Sequence, residues 1–185
     1  AWSVESWFSF TKTELYPALF SGYRYFMDLL QKAGLYDAKN YEFPFLIDGE
    51  SYTIFMPSEQ ALSDYQADTL APEDLEKLLL YHFIRGEKIF TDNEKSWQEY
   101  ETLRKDESSS QFSTVFSSVN IRPGPDVIDI LDANNNVYLS IPEQEGKTNI
   151  MVAYDTDDEN SEDTDFITTT IIHEIDKVLD YSILK

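Results

Sequence analysis

The chain has no cysteine, and this absence excludes disulfide bonds, thiolate catalysis and cysteine-based zinc sites. Basic residues are also few, with 14 Lys and Arg against 35 Asp and Glu and a formal net charge of −21. A field of this sign repels nucleic acid backbones and anionic lipid headgroups. The composition therefore predicts no nucleic acid partner, and it favours cations or basic protein patches as ligands.

Glycine is scarce and widely spaced, which excludes two glycine-rich site motifs. No two of the six glycines lie two or four positions apart, so neither GxGxxG nor GxSxG is present. No run approaches the roughly 18 consecutive apolar residues of a membrane span, so we expect no direct membrane insertion of this segment. The sequence starts at Ala1 without a basic-then-apolar leader, and we expect any signal or lipid anchor to lie outside it.

Length and composition predict a single domain over residues 1–185. The chain has 185 residues and 42% hydrophobic content, enough to bury a sizeable core. Residues 1–25 form an arm that is rich in Trp, Tyr and Phe. Because disordered segments are poor in aromatic residues, we expect this arm to pack on the domain. An exposed stacking surface for sugar or protein is the alternative.

Local patterns predict several helices and strands. Residues 52–56 are apolar on both sides of an alternating run, which predicts a strand in the interior of a sheet. Ser58 follows as a helix N-cap. Apolar side chains recur at helical spacing over residues 75–82, so we predict a helix packed through Leu75, Leu78 and Leu79. Further predicted elements are a helix from Phe26 ending at Gly34, strands over residues 112–121, 127–131 and 137–141, and a long last strand over residues 166–178.

Three of these segments together resemble the fasciclin domain family. They are residues 52–62 (YTIFMPSEQAL), 78–86 (LLLYHFIRG) and 171–179 (IIHEIDKVL). Residues 26–35 (FMDLLQKAGL) look like the first long helix of the family. The resemblance implies an α+β fold, a wedge-shaped β-sandwich with several helices packed along one side.

The two histidines are the most distinctive candidate site residues. The resemblance implies that Tyr81 and His82, with their apolar neighbours, are a binding determinant for adhesion. Position alone favours a structural His82, buried and hydrogen-bonded at the negative end of a helix. We expect His173 and Asp176 to be strand residues satisfied by local hydrogen bonds.

The acidic run at residues 155–165 (DTDDENSEDTD) contains no apolar residue, which predicts a solvated surface loop. It is not an EF-hand, because Asn160 stands at the glycine position and Phe166 at the position of the closing glutamate. A looser cation site is the alternative to a purely anionic surface.

The resemblance implies a non-catalytic adhesion and binding module of an extracellular, cell-surface or periplasmic protein. The resemblance also implies that it belongs to a larger bacterial surface protein or lipoprotein, and the absence of an Asn-x-Ser/Thr sequon favours a bacterial origin. The expected partner is a macromolecule, either protein or polysaccharide, and we predict no cofactor, metal or catalytic residue. Two alternatives stay open: a hydrolase using a carboxylate pair or a bound cation, and a structural spacer between neighbouring domains.

Overall fold

The computed structural model describes residues 10–47, 49–131, 138–155 and 166–181, and these residues form helices and one large sheet. The described helices are α1 (Phe10–Gly22), α2 (Arg24–Lys32), α3 (Glu59–Asp64) and α4 (Pro72–Leu80), with a short 3-10 helix at Ala67–Thr69. The described strands are β1 (Tyr52–Pro57), β2 (Phe83–Arg85), β3 (Gln98–Lys105), β4 (Phe116–Gly124), β5 (Val127–Leu131), β6 (Tyr138–Pro142), β7 (Ile150–Asp155) and β8 (Phe166–Ile175). The predicted α+β class is confirmed.

The strands form one sheet in the order β6-β5-β4-β3-β2-β1-β8-β7, which curls into a half-barrel. β1 runs parallel to β8, and the other neighbouring strands are antiparallel. The two halves of the sheet meet at β2 and β3, where the register has the single pair Ile84 and Thr102. The two layers expected of a sandwich are therefore the two halves of one curled sheet.

Two cores lie on opposite faces of this sheet, and β1 contributes to both. All six β1 residues are buried, which confirms the predicted interior strand. Ile54 and Met56 pack with the helices in the helix-side core. Phe55 points the other way, into an inner core enclosed by the curled sheet. The inner core draws residues from both halves of the sheet, so burial on this face stabilises the curl.

The predicted helix signals are confirmed at α2, α3 and α4. α2 is followed by Gly34 at φ 75°, and the N–H of Leu35 donates to the carbonyl oxygen of Leu30 at 2.9 Å. Ser58 caps α3 by accepting a hydrogen bond from the N–H of Ala61 at 3.2 Å. α4 begins with Pro72 in its first turn and buries the three leucines predicted to pack.

Several predicted boundaries are wrong. α4 ends at Leu80 rather than at residue 82, because the chain turns there to enter β2. β4 begins at Phe116 rather than at residue 112, and it continues through Pro123, which pairs with Ile128. The turn after β4 falls at Asp126, which has φ 60°.

The last strand also ends earlier than predicted. β8 stops at Ile175 rather than at residue 178, because its parallel neighbour β1 ends at Pro57, the partner of Ile175. The acidic loop beyond residue 155 and the arm before residue 10 lie outside the described residues, so their predicted roles stay predictions.

Candidate functional site

Tyr81 and His82 lie at the junction between α4 and β2. Tyr81 is the C-terminal cap of α4, and its N–H donates to the carbonyl oxygen of Lys77 at 3.3 Å. The next residue, His82, precedes the first residue of β2. Both side chains are fully buried, so neither presents a polar atom to solvent. Their predicted role in binding stays a prediction, and any such role acts through the surface they support.

His82 is hydrogen-bonded at both ring nitrogens. The Nδ1 atom lies 2.9 Å from the carbonyl oxygen of Leu78. The Nε2 atom accepts a hydrogen bond from the backbone N–H of Leu179 at 2.9 Å. A backbone N–H can only donate, so the proton of the neutral ring is on Nδ1. Burial lowers the pKa of His82 to about 4, which keeps the ring neutral near pH 7.

Tyr81 points into the inner core and links α4 to β4. Its hydroxyl donates to the carbonyl oxygen of Ser118 at 3.1 Å. Its ring packs edge-to-face on Tyr181, with 5.3 Å between the ring centroids. Aromatic pairs of this geometry are worth roughly 0.5–1.5 kcal/mol beyond their buried area. Tyr81 therefore holds the C-terminal segment, residues 176–181, against the sheet.

A surface groove lies above this buried pair. Its cavity volume is about 210 Å³, and we call it the C-terminal groove. The residues that line it are Tyr65, Leu70, Asp74, Lys77, Leu78, Arg104, Asp180 and Tyr181. The Tyr65 hydroxyl donates to Oδ2 of Asp180 at 3.0 Å, which attaches the C-terminal segment to the end of α3.

Arg104 forms the floor of the C-terminal groove. Only 5% of Arg104 is exposed, and its guanidinium lies 3.7 Å from the ring centroid of Tyr181. Its Nη1 atom donates to Oγ of Ser117 at 2.6 Å, and Nη2 donates to Oε1 of Glu107 at 3.1 Å. Lys77 reaches the same Glu107 oxygen at 3.3 Å. The buried charge is therefore both hydrogen-bonded and stacked, as a stable buried cation requires.

Asp106 connects the groove to the loop between β3 and β4. It accepts hydrogen bonds from Ser108 and, at 2.6 Å, from the hydroxyl of Tyr181. These bonds, those from Ser108 first, lower the pKa of Asp106 to about 2. The carboxylate is thus fixed in its charged form beside the groove.

His173 belongs to a separate network on the other side of β1. Its Nε2 atom lies 2.8 Å from the carbonyl oxygen of Ile89, and Nδ1 accepts from the N–H of Asn149 at 3.3 Å. The ring stacks on Phe55, with 5.5 Å between centroids. Burial lowers the pKa of His173 to about 4. The prediction of a satisfied strand histidine is confirmed, whereas Asp176 lies beyond the strand and is exposed.

The described parts of the chain contain no group of three or more His, Asp or Glu side chains arranged to hold a metal ion. None of the described helices is long and apolar enough to cross a bilayer.

In α1, Leu15 and Leu19 are buried in the helix-side core, while Phe20 is half exposed.

Sequence reasoning missed Arg104 and Tyr181 as groove residues, and Asp106 as the partner of Tyr181. The sequence around each residue is ordinary, and their contacts join distant parts of the chain. Asp106 and Tyr181, for example, are 75 positions apart. Only the Tyr81–His82 pair carried a signal, and that signal came from the family resemblance.

The fasciclin domain model matches residues 21–181, which is most of the chain. Among curated proteins, none matches it. Fasciclin domains are generally non-catalytic adhesion or binding modules, and they are typically extracellular or located at the cell surface.

Proposed function

The chain belongs to the fasciclin domain family, and we propose that it is a non-catalytic adhesion and binding module of a cell-envelope protein. Its partner in this proposal is a macromolecule, protein or polysaccharide, held at the outer surface or in the periplasm. The parent in this proposal is a bacterial surface protein or lipoprotein. The family match over residues 21–181 is the observation that carries the proposal.

The state of the two histidines supports a binding rather than a catalytic role. A general base needs a free ring nitrogen within reach of its substrate and a pKa near the working pH. His82 and His173 are buried, and both nitrogens of each ring are hydrogen-bonded. The pKa of each is lowered to about 4. Both rings thus serve to join segments of the fold.

The C-terminal groove supports the same proposal, because its walls are fixed by paired groups. Of the lining residues, Arg104 is hydrogen-bonded to Ser117 and Glu107, and Tyr181 is hydrogen-bonded to Asp106. Such a surface is pre-organised, which lowers the entropic cost of binding a large partner. Tyr81 and His82 act in this proposal as positioning residues beneath the groove.

The test measures binding and turnover on the same polymers. The purified domain is immobilised and exposed to neutral glucan, mannan and galactan, to anionic alginate, and to the basic protein lysozyme. We expect saturable retention of at least one of these probes, and an unchanged polymer length after prolonged incubation by light scattering. Shortening of a polymer that stops when one nearby carboxylate is replaced would contradict the proposal, as would the absence of saturable retention on every probe.

A further inference from the structure

The outer face of β4, β5 and β6 is bare of helices in the described part of the chain. The inward side chains of these strands fill the inner core, and none of their residues joins the helix-side core. The outward positions are polar or half-buried, as expected for an antiparallel sheet with one face in solvent. A solvated face alone implies no ligand; a ligand is indicated by the side chains that lie on this face and by the absence of partners for their polar atoms.

Four side chains form a row across this face, which we call the outer row: Trp97, Arg122, Asp129 and Ser140. Arg122 pairs directly with Asp129 across the ladder, and Asp129 pairs with Ser140. Trp97 immediately precedes β3, and the Arg122 guanidinium lies 6.0 Å from its ring centroid. Neighbouring strands are about 4.8 Å apart, so the row is about 14 Å long from β3 to β6. This length suits a short stretch of polymer rather than a single small molecule.

The polar side-chain atoms of the outer row form no hydrogen bond or ion pair with the described residues. The side chains of Arg122 and Asp129 have opposite charges and face each other across the ladder. Apart from the contact of Arg122 with the Trp97 ring, neither side chain forms an ion pair or hydrogen bond with the described residues. The side-chain amide of Asn120, two positions from Arg122 on the same face, also has no hydrogen-bond partner within the described ranges. A guanidinium, a carboxylate and an amide thus leave donors and acceptors available side by side.

Trp97 supplies the apolar component of the same surface. It is 67% exposed, which is unusual for the largest aromatic side chain. A flat indole offers apolar contact area with little loss of side-chain entropy. A pyranose ring has an apolar C–H face and a rim of hydroxyls that donate and accept hydrogen bonds. The outer row offers an exposed ring beside hydrogen-bond donors and acceptors, which are the two kinds of contact that a pyranose ring makes.

The charges on this face select among glycans. Arg122 and Asp129 balance one another, which suits an uncharged ligand. Glu99 and Glu101 are exposed on β3 beside the row, and the whole chain carries a net charge of −21. Uronic acids and sulfated sugars are therefore repelled.

We propose that the outer row binds a neutral polysaccharide, with Trp97 stacking on a sugar ring, and with Arg122, Asp129 and the neighbouring Asn120 bonding its hydroxyls. This inference rests on the proposed binding function and assigns a surface and a ligand class to it. The row is distinct from the C-terminal groove, because no residue lines both.

Native gel electrophoresis in the presence of soluble glucan, mannan or galactan tests the assignment. We expect at least one of these neutral polymers to retard the wild-type domain, and alginate not to retard it. Trp97→Ala should weaken the retardation at least tenfold, and Asp129→Asn should weaken it measurably. Phe112→Ala is the matched control, because Phe112 is an aromatic residue with 90% exposure outside the outer row. Thermal melting of each variant checks that its fold is retained.

Three outcomes would overturn the assignment. The first is that no neutral polymer retards the wild-type domain. The second is that Trp97→Ala is retarded as strongly as the wild type, which would leave the binding function standing but place the site elsewhere. The third is that Trp97→Ala abolishes retention of lysozyme instead, which would make the outer row a protein-binding surface. In the second and third cases the wild-type domain still binds a probe saturably. The proposed binding function then stands, and only the assignment of the outer row fails.

Discussion

The backbone N–H of Leu179 donates a hydrogen bond to Nε2 of His82 at 2.9 Å, and this bond ties the C-terminal segment to the end of α4. The histidine is one of the residues by which the family resemblance is recognised, but its polar atoms are all directed inward. Tyr81 supports the same segment through its packing on Tyr181. Tyr81 and His82 therefore connect the end of α4 to the C-terminal segment, and they lie beneath the protein surface.

Leu79→Ala should destabilise the domain by about 2–4 kcal/mol, through lost burial and the cavity that remains. Leu79 is fully buried in the helix-side core. Leu80→Ala is the control, since Leu80 is the neighbouring residue in α4 and only partly buried. Denaturant unfolding measures both variants, and an unchanged midpoint for Leu79→Ala would show that α4 does not pack as described.

The free energy of unfolding should fall as the pH drops from about 6.5 to about 4. The pKa of each buried histidine is lowered from 6.5 to about 4. In that window the unfolded state binds protons that the folded state does not, so stability decreases with falling pH. The loss is about 3 kcal/mol per histidine at 1.36 kcal/mol per pKa unit. Urea titrations at several pH values measure it, and His82→Gln should remove about half of the dependence. A flat profile in the wild type would contradict the burial of these rings.

Tyr181→Phe should raise the pKa of Asp106, because it removes one of the hydrogen bonds that stabilise the carboxylate. With its lowered pKa, Asp106 stabilises the fold above about pH 4, and this contribution is lost as the pH falls toward 2. The variant should therefore lose stability at neutral pH and show a weaker acid dependence. NMR titration of the Asp106 carboxyl carbon measures the shift. Tyr65→Phe, which affects Asp180 instead, should leave this titration unchanged.

The acidic residues 155–165 should show no saturable micromolar calcium site, because the turn glycine and the closing bidentate glutamate are both missing. Most of this segment lies outside the described residues, so the prediction rests on the sequence. Isothermal titration calorimetry measures it. A micromolar site that Asp157→Asn abolishes would contradict it.

The sequence allowed the elements with strong local patterns to be predicted. The three packed leucines of α4 and the apolar run of β1 are visible without knowledge of their neighbours. β2 was not predicted, because only two residues separate it from the end of α4 and its three residues continue the apolar pattern of that helix. β3 (QEYETLRK) was not predicted, because most of its solvent-facing positions hold charged residues with low strand propensity.

The candidate surfaces depend on contacts that no local pattern contains. Arg104 and Tyr181 are in contact although they lie far apart in the sequence, and Arg122 faces Asp129 only once β4 and β5 are in register. Register depends on the turn at Asp126, and the predicted end of the strand at residue 121 would have shortened the pairing of β4 with β5. Only the three-dimensional structure brings these side chains together.

The most direct test of the account is the binding affinity of Tyr81→Phe for the probe that the wild-type domain retains, measured well below the melting temperature of both proteins. The variant loses the hydrogen bond to Ser118 and should be less stable by about 1 kcal/mol. If Tyr81 only supports the surface, the dissociation constant stays within about twofold of the wild type once the folded fraction is taken into account. A loss of binding at an unchanged melting temperature would contradict the account, because it would make Tyr81 a direct contact of the partner.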